Sequence, residues 1–183
     1  EIITVNGHSY ENRKTNNTNF AILVSTHFTE PFKEPIEYGR YVARLANMLS
    51  GGVIIQRLKD LQLGRRSTPE RIKKSVLKPT LNGASPGDLS FVLPYRFLQD
   101  VLEIISAMDK FIPGMSSPHN LLYGLEVKFY SSRVKLSEYL ESDIENLFMA
   151  GDGAGVTRGL IQASTSGVIV AREILHRVGG HIE

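Results

Sequence analysis

The chain has 183 residues, of which 42% are hydrophobic and 22% charged, and its formal net charge is +2. This composition suffices for a buried core and argues against wholesale disorder. The absence of cysteine excludes a disulfide scaffold, a thiolate zinc site, an iron–sulfur cluster and a dithiol redox pair within these residues.

The longest apolar runs, residues 101–105 and 167–171, are too short to span a bilayer. No basic and then apolar leader opens the chain, so we expect no signal peptide, no membrane partner and, by default, a cytoplasmic location. The first residue is Glu1 rather than Met, which favours a fragment cut from a longer protein.

The first third of the chain predicts two short strands and one helix. Residues 2–5 and 19–26 are β-rich runs joined by a polar loop. From Ile36, apolar residues recur at helical spacing until Gly51-Gly52 ends the run. These positions are Tyr41, Val42, Leu45, Met48 and Leu49. Residues 53–55 then predict a short strand.

A basic segment occupies residues 57–78, where eight basic side chains face two acidic ones. Thr68-Pro69 predicts a helix start inside this segment. Arg65 and Arg66 are candidates for a bidentate clamp on a carboxylate or phosphate, and a solvated basic face is the alternative. Nucleic-acid binding is disfavoured because the charge is local and is not interleaved with aromatic residues.

A second helix is predicted from Pro94 to Pro113-Gly114, followed by an alternating strand over residues 121–130. Glu126 and Lys128 share one face of that strand, either as an exposed weak ion pair or as part of a cleft. The five histidines have no metal-ligand spacing, so no metal site is predicted.

The most informative stretch is the last one. Residues 146–150 predict a buried strand that runs into Gly151-Asp152-Gly153-Ala154-Gly155, and a helix is expected from about Thr157 to His176. Glycines permit unusual dihedrals and close approach of a ligand, and the start of a helix suits a phosphate or the electron-rich edge of a flavin. Tight packing of the helix on a sheet is the alternative explanation of its small residues.

The spacing of Gly153, Gly155 and Gly159 departs from the G-x-G-x-x-G fingerprint of dinucleotide sites. That fingerprint opens a βαβ unit, which needs a further strand about 30 residues later. Seven residues follow His176 here. We therefore interpret this strand and helix as closing a sheet whose other strands lie elsewhere.

The chain resembles the C-terminal region of bacterial and archaeal FAD-dependent dehydrogenases, often labelled NAD(FAD)-utilising. The resemblance covers nearly all of it and is most specific at residues 18–21, Gln56 with 64–67, 86–90, 121–131 and 151–167. It implies that Asp152 binds the FAD ribitol, that Gly151 and Gly153 allow close approach, and that Gly159-Leu160-Ile161 faces the isoalloxazine ring. If the strand face of Glu126 and Lys128 lies in a cleft beside the flavin, Lys128 is expected to stabilise negative charge on the reduced ring.

We accordingly predict an α/β fold with two parts. Residues 1–140 form a mixed-sheet substrate-side domain, and residues 141–183 form the closing strand, loop and helix of a Rossmann-like FAD-binding domain. The N-terminal half of the FAD site is absent from the chain. The predicted function is that of an FAD-dependent oxidoreductase.

Several partners follow from this prediction. They are the missing FAD-binding half, a small-molecule substrate and NAD(P)H as electron donor, and a homodimer is compatible with the sequence. The alternative function is a non-enzymatic interaction or dimerisation module without a cofactor. The catalytic candidates are Lys128, Arg65 and Arg66.

Overall fold

The computed structural model describes residues 1–128, 133–155, 157 and 159–179. The chain divides into two compact units, Glu1–Val127 and Lys128–Glu183. The predicted domain boundary after residue 140 falls inside the second unit. The substrate-side and FAD-binding roles of the two parts stay a prediction.

A three-stranded mixed sheet lies at the centre of the first unit. Its middle strand is β1 (Ile54–Arg57), which is buried along its whole length. Strand β2 (Ser85–Pro86) pairs with it in parallel, and strand β3 (Leu121–Gly124) pairs antiparallel on the other side. The predicted α/β class is confirmed at this coarse level, and the Rossmann-like part stays a prediction.

The first unit contains four α-helices: α1 (Pro35–Ser50), α2 (Leu58–Gln62), α3 (Pro69–Lys73) and α4 (Tyr95–Asp109). Helices α1, α2 and α3 contact β1. The predicted starts of α1, α3 and α4 near Pro35, Pro69 and Pro94 are confirmed. Proline suits a first helical position because its missing N–H has no partner there anyway. The Thr68 side chain caps α3 by accepting a hydrogen bond from the Arg71 amide.

The ends and the faces of the long helices differ in part from expectation. Helix α1 ends at Ser50, just before Gly51 as predicted, and Gly51 adopts the left-handed conformation. Its buried residues are Ala43 and Ala46, whereas Tyr41 and Met48 are exposed. Small side chains bring this helix close to the sheet, where Ala46 joins a core of buried residues. The other members of that core are Ile54, Leu89, Val92 and Leu125.

Helix α4 ends at Asp109, earlier than the predicted Pro113-Gly114. The Asp109 carboxylate accepts hydrogen bonds from the amides of Gly114 and Ser116, at 2.9 and 2.8 Å. The last predicted helical turn is therefore a loop instead, and the Asp109 carboxylate stabilises this loop by accepting hydrogen bonds from its amides.

The strands predicted at residues 2–5 and 19–26 are wrong, because neither run has a neighbouring strand in the described part of the chain. The amide of Ile3 donates instead to the Asn47 side chain, and the amide of Val5 donates to the Leu125 carbonyl. The strand predicted over 121–130 is confirmed only for β3. Residues 125–128 leave the sheet, and 129–130 lie outside the described residues.

The second unit is built around α5 (Leu160–Arg177). The strand predicted over 146–150 is wrong, since its described residues form only an isolated bridge between Phe148 and Glu141. A strand requires a ladder of backbone partners, and a single bridge supplies too few. The helix begins three residues later than the predicted Thr157, after the extended residue Gly159.

Candidate cofactor site at the start of helix α5

The glycine loop before α5 has a backbone that other residues rarely adopt. Gly151 has φ 81° and ψ −172°, and Gly155 has φ 72° and ψ 8°. The Gly151 region is essentially restricted to glycine because a Cβ would clash with the local backbone. Between them, residues Asp152–Ala154 form a single 3-10 turn. Around Gly151 and Gly153, an added Cβ would meet no atom within 4 Å, so both face open space.

Ser166 fixes this loop to the helix. The Gly151 amide donates to Ser166 Oγ at 2.7 Å, and the Ser166 hydroxyl donates to the Ala163 carbonyl at 2.6 Å. Ser166 is only 4% exposed. In the sequence, Ser166 is one of the small residues that recur at helical spacing along one side of this helix, with Ala163 and Gly167. Its hydroxyl, on an otherwise apolar side, is the signal that could have indicated this second role.

The first turn of α5 exposes Leu160 and Ile161 to solvent, whereas the Gln162 side chain lies against Gly159. Gly159 precedes this turn and offers no side chain to cap the helix, so the amides of its first turn have no helical acceptors. Leu160 is 89% and Ile161 79% exposed. Thr157, just before this turn, has a buried hydroxyl without a hydrogen-bond partner among the described residues. Polar hydrogen-bond donors without a described acceptor and exposed apolar side chains thus occur together at the start of α5.

Asp152 stands at the start of the 3-10 turn and is exposed. Its carbonyl accepts a hydrogen bond from the Gly155 amide at 3.1 Å. Within the described residues, no hydrogen bond or ion pair engages its carboxylate. The carboxylate is therefore available to hydroxyl donors from a ligand.

These residues fit the ribitol and ring part of FAD. Asp152 supplies an acceptor for sugar-type hydroxyls, and Gly151 and Gly153 leave room for close approach. The uncapped amides suit an electron-rich ring edge. Leu160 and Ile161 offer apolar surface for a planar ring. All the predicted cofactor residues thus fall in one loop and one helix start of the second unit.

The predicted catalytic arginines lie in the first unit, and one of them is engaged. Arg65 Nε donates to Asp60 Oδ1 at 3.0 Å, and this carboxylate is fully buried. Ser67 donates to the other carboxylate oxygen at 2.8 Å. Arg65 therefore compensates a buried negative charge. Arg66 is exposed, and a clamp of both guanidinium groups on one ligand stays a prediction.

Gln56 is a second buried polar residue of the first unit. Its hydrogen bonds connect sequence segments at which the resemblance is most specific. Its Oε1 accepts from the Leu89 amide at 2.8 Å. Its Nε2 donates to the Arg65 carbonyl at 3.0 Å and to the Asp88 carboxylate at 3.2 Å. The structure thus gives Gln56 and Asp88 positions in the scaffold of the first unit. Lys128 is exposed and begins the second unit.

The far end of α5 is held by an ion-pair cluster. Arg177 binds both carboxylate oxygens of Glu141 and also Glu173 Oε1, and it lies over the Phe148 ring at 5.0 Å. Hydrogen bonds from Arg177 and from the Asn146 amide lower the pKa of Glu141 to about 2. This cluster joins residues 141–148 to the helix that presents the glycine loop.

Comparison with known proteins identifies the family of the chain. Residues 1–129 match the family described as "FAD-dependent protein, C-terminal domain-like", and the chain belongs to this family. An uncharacterized protein of Clostridium beijerinckii is 30% identical over an alignment of 182 residues, and the match covers 94% of this chain. The chain spans only 33% of that relative's length. Separately, none of the described helices is long and apolar enough to cross a membrane.

Proposed function

We propose that the chain is the C-terminal part of an FAD-dependent oxidoreductase and holds the ribitol and isoalloxazine end of the cofactor. The observation that carries this proposal is the open start of α5. There, Leu160 and Ile161 are almost fully exposed beside uncapped amides and a strained glycine loop. Membership in an FAD-dependent family supports the choice of cofactor.

Each residue of the loop has a defined task in this proposal. Asp152 accepts hydrogen bonds from ribitol hydroxyls, and Gly151 and Gly153 let the backbone approach the ligand. The amides of Leu160 and Ile161 stabilise negative charge at the pyrimidine edge of the ring. When bound, FAD supplies the redox chemistry, and the protein supplies position and electrostatics.

The first unit provides the substrate side in this proposal. NAD(P)H is the electron donor, and a small molecule is the substrate.

Lys128 is proposed to stabilise the reduced ring, so Lys128→Met should slow flavin reduction in the full-length enzyme, as measured by stopped-flow absorbance. Lys135→Met is the control because Lys135 is exposed and, among the described residues, forms a long ion pair with Asp143, at 3.8 Å. Equal rates for the two variants would remove the role of Lys128.

The second candidate function is a non-enzymatic interaction or dimerisation module. It is favoured by apolar side chains that α5 exposes beyond its first turn, such as Val168, Ile174 and Leu175. A large exposed apolar surface commonly marks a protein–protein contact. The colour of the purified full-length protein distinguishes the two functions, since a flavoprotein is yellow and a module without a cofactor is colourless.

The decisive experiment is flavin binding by the full-length protein and its Asp152→Ala variant. The unaltered protein should absorb at about 450 nm, as oxidised flavins do. Removing the Asp152 carboxylate should weaken FAD about ten- to hundredfold, the equivalent of one or two hydrogen bonds to a charged group. Asp143→Ala is the matched control, since Asp143 is an exposed aspartate of the same unit. A colourless full-length protein that takes up no added FAD would sink the proposal.

A further inference from the structure

Residues 20–26 form a run without turn or bend in the first unit. Exposure alternates along its middle, where Ile22 and Val24 are half-buried and Ala21, Leu23 and Ser25 are exposed. Alternation with a period of two is the pattern of a strand with one face on the protein body. This stretch has the side-chain arrangement of a strand but is not part of the sheet.

The backbone of this run makes no hydrogen bond to any residue that the structure describes. The run also contains no charged residue, proline or glycine. Edge strands that remain free in solution are normally protected by such residues. An apolar, unprotected run with free N–H and C=O groups is therefore suited to pairing.

A cleft of about 460 Å³ lies beside the run and is lined mainly by apolar side chains. Residues 20–25 form one wall, and Ile104 and Met108 of α4 belong to the other. Met115 contributes further apolar surface, and Asp100 is an acidic lining residue. The cleft thus offers room for side chains next to an unpaired backbone.

We propose that residues 20–26 pair with a β-strand from another part of the same, longer protein, whose alternate side chains fill this cleft. Free backbone groups select a strand because a strand satisfies donors and acceptors in register, while side-chain pockets give specificity. The C. beijerinckii relative has two thirds of its length outside the region aligned with this chain. That remainder is a source for such a strand. The inference rests on the proposed function only in placing the chain within a longer protein.

Amide hydrogen exchange on the full-length protein tests this pairing without any mutation. After correction for intrinsic rates, the amides of residues 21–26 that face the added strand should exchange at least about 100-fold more slowly than those of residues 11–17. Residues 11–17 are the internal control because their amides also make no backbone hydrogen bond to the described part of the chain. The protection should be unchanged on tenfold dilution.

Two outcomes would overturn the proposal. Exchange in residues 21–26 as fast as in the control segment would mean that no strand is added. Protection that disappears on dilution would mean that the partner is a second copy of the protein. Flavin absorbance is recorded on the same sample, so a yellow protein with a rapidly exchanging run would contradict the pairing alone. A colourless protein with a protected run would contradict the cofactor proposal alone.

Discussion

Gln56 shows at the scale of a single residue how a buried polar side chain organises the first unit. It is fully buried, and its amide group makes three hydrogen bonds to residues far apart in sequence. Gln56→Leu should lower the free energy of unfolding by about 2–3 kcal/mol, because the buried Leu89 amide would lose its acceptor. Chemical denaturation measures this loss. Gln99→Leu is the control on the exposed side of α4, and an equal effect of both changes would contradict the argument.

Glu141 should make stability depend on pH. Its pKa is lowered from 4.5 to about 2, first by hydrogen bonds from Arg177 and then by the Asn146 amide. A carboxylate with a depressed pKa stabilises the folded state fully above its unfolded pKa, and this stabilisation is lost as the pH falls from about 4.5 to about 2. Glu141→Gln should therefore reduce the difference between thermal midpoints measured at pH 6 and pH 3. Glu145→Gln, an exposed control, should leave that difference unchanged. A response of Glu141→Gln that matched the control would refute the linkage.

At the scale of elements, helices were predictable from the sequence and strands mostly were not. Helix α1 has proline at its start and glycine at its end, and both signals act within the chain's own neighbouring residues. Strand formation at 2–5, 19–26 and 146–150 depends on a partner that local sequence does not reveal. The same limit applies to Ser166, whose link to Gly151 follows from how the loop folds back on α5.

The glycine loop allows a test in which strain and ligand space separate. Gly151→Ala forces a Cβ onto φ 81° and should destabilise the second unit by about 1–3 kcal/mol. Gly153→Ala lies outside the positive-φ region and has open space around it, so folding should be nearly unchanged. If Gly153 lies against FAD, its alanine variant should weaken FAD binding while thermal stability is retained. Full FAD affinity in a folded Gly153→Ala protein would place the ligand elsewhere.

At the scale of the whole molecule, the proposed substrate side and the proposed cofactor loop belong to different units. The match to the FAD-dependent family covers residues 1–129, whereas the proposed cofactor loop begins at Gly151. The sequence indicated both the matched region and the glycine loop, because the resemblance included residues before and after residue 129. It did not reveal which polar residues serve the scaffold, since the burial of Asp60 and Gln56 depends on packing between distant segments.

The proposed division of the FAD site predicts how this 183-residue chain behaves when it is tested by itself. In the proposal, its candidate residues contact the ribitol and the ring, and the diphosphate and adenosine are assigned to residues outside this chain. The isolated chain should therefore bind riboflavin and FAD with similar, weak affinity, because the adenosine end of FAD gains no contacts. The full-length protein should prefer FAD over riboflavin by at least about a hundredfold, or roughly 2.7 kcal/mol. Quenching of flavin fluorescence measures both affinities. Tight and FAD-selective binding by the isolated chain would instead assign the adenosine end to these residues.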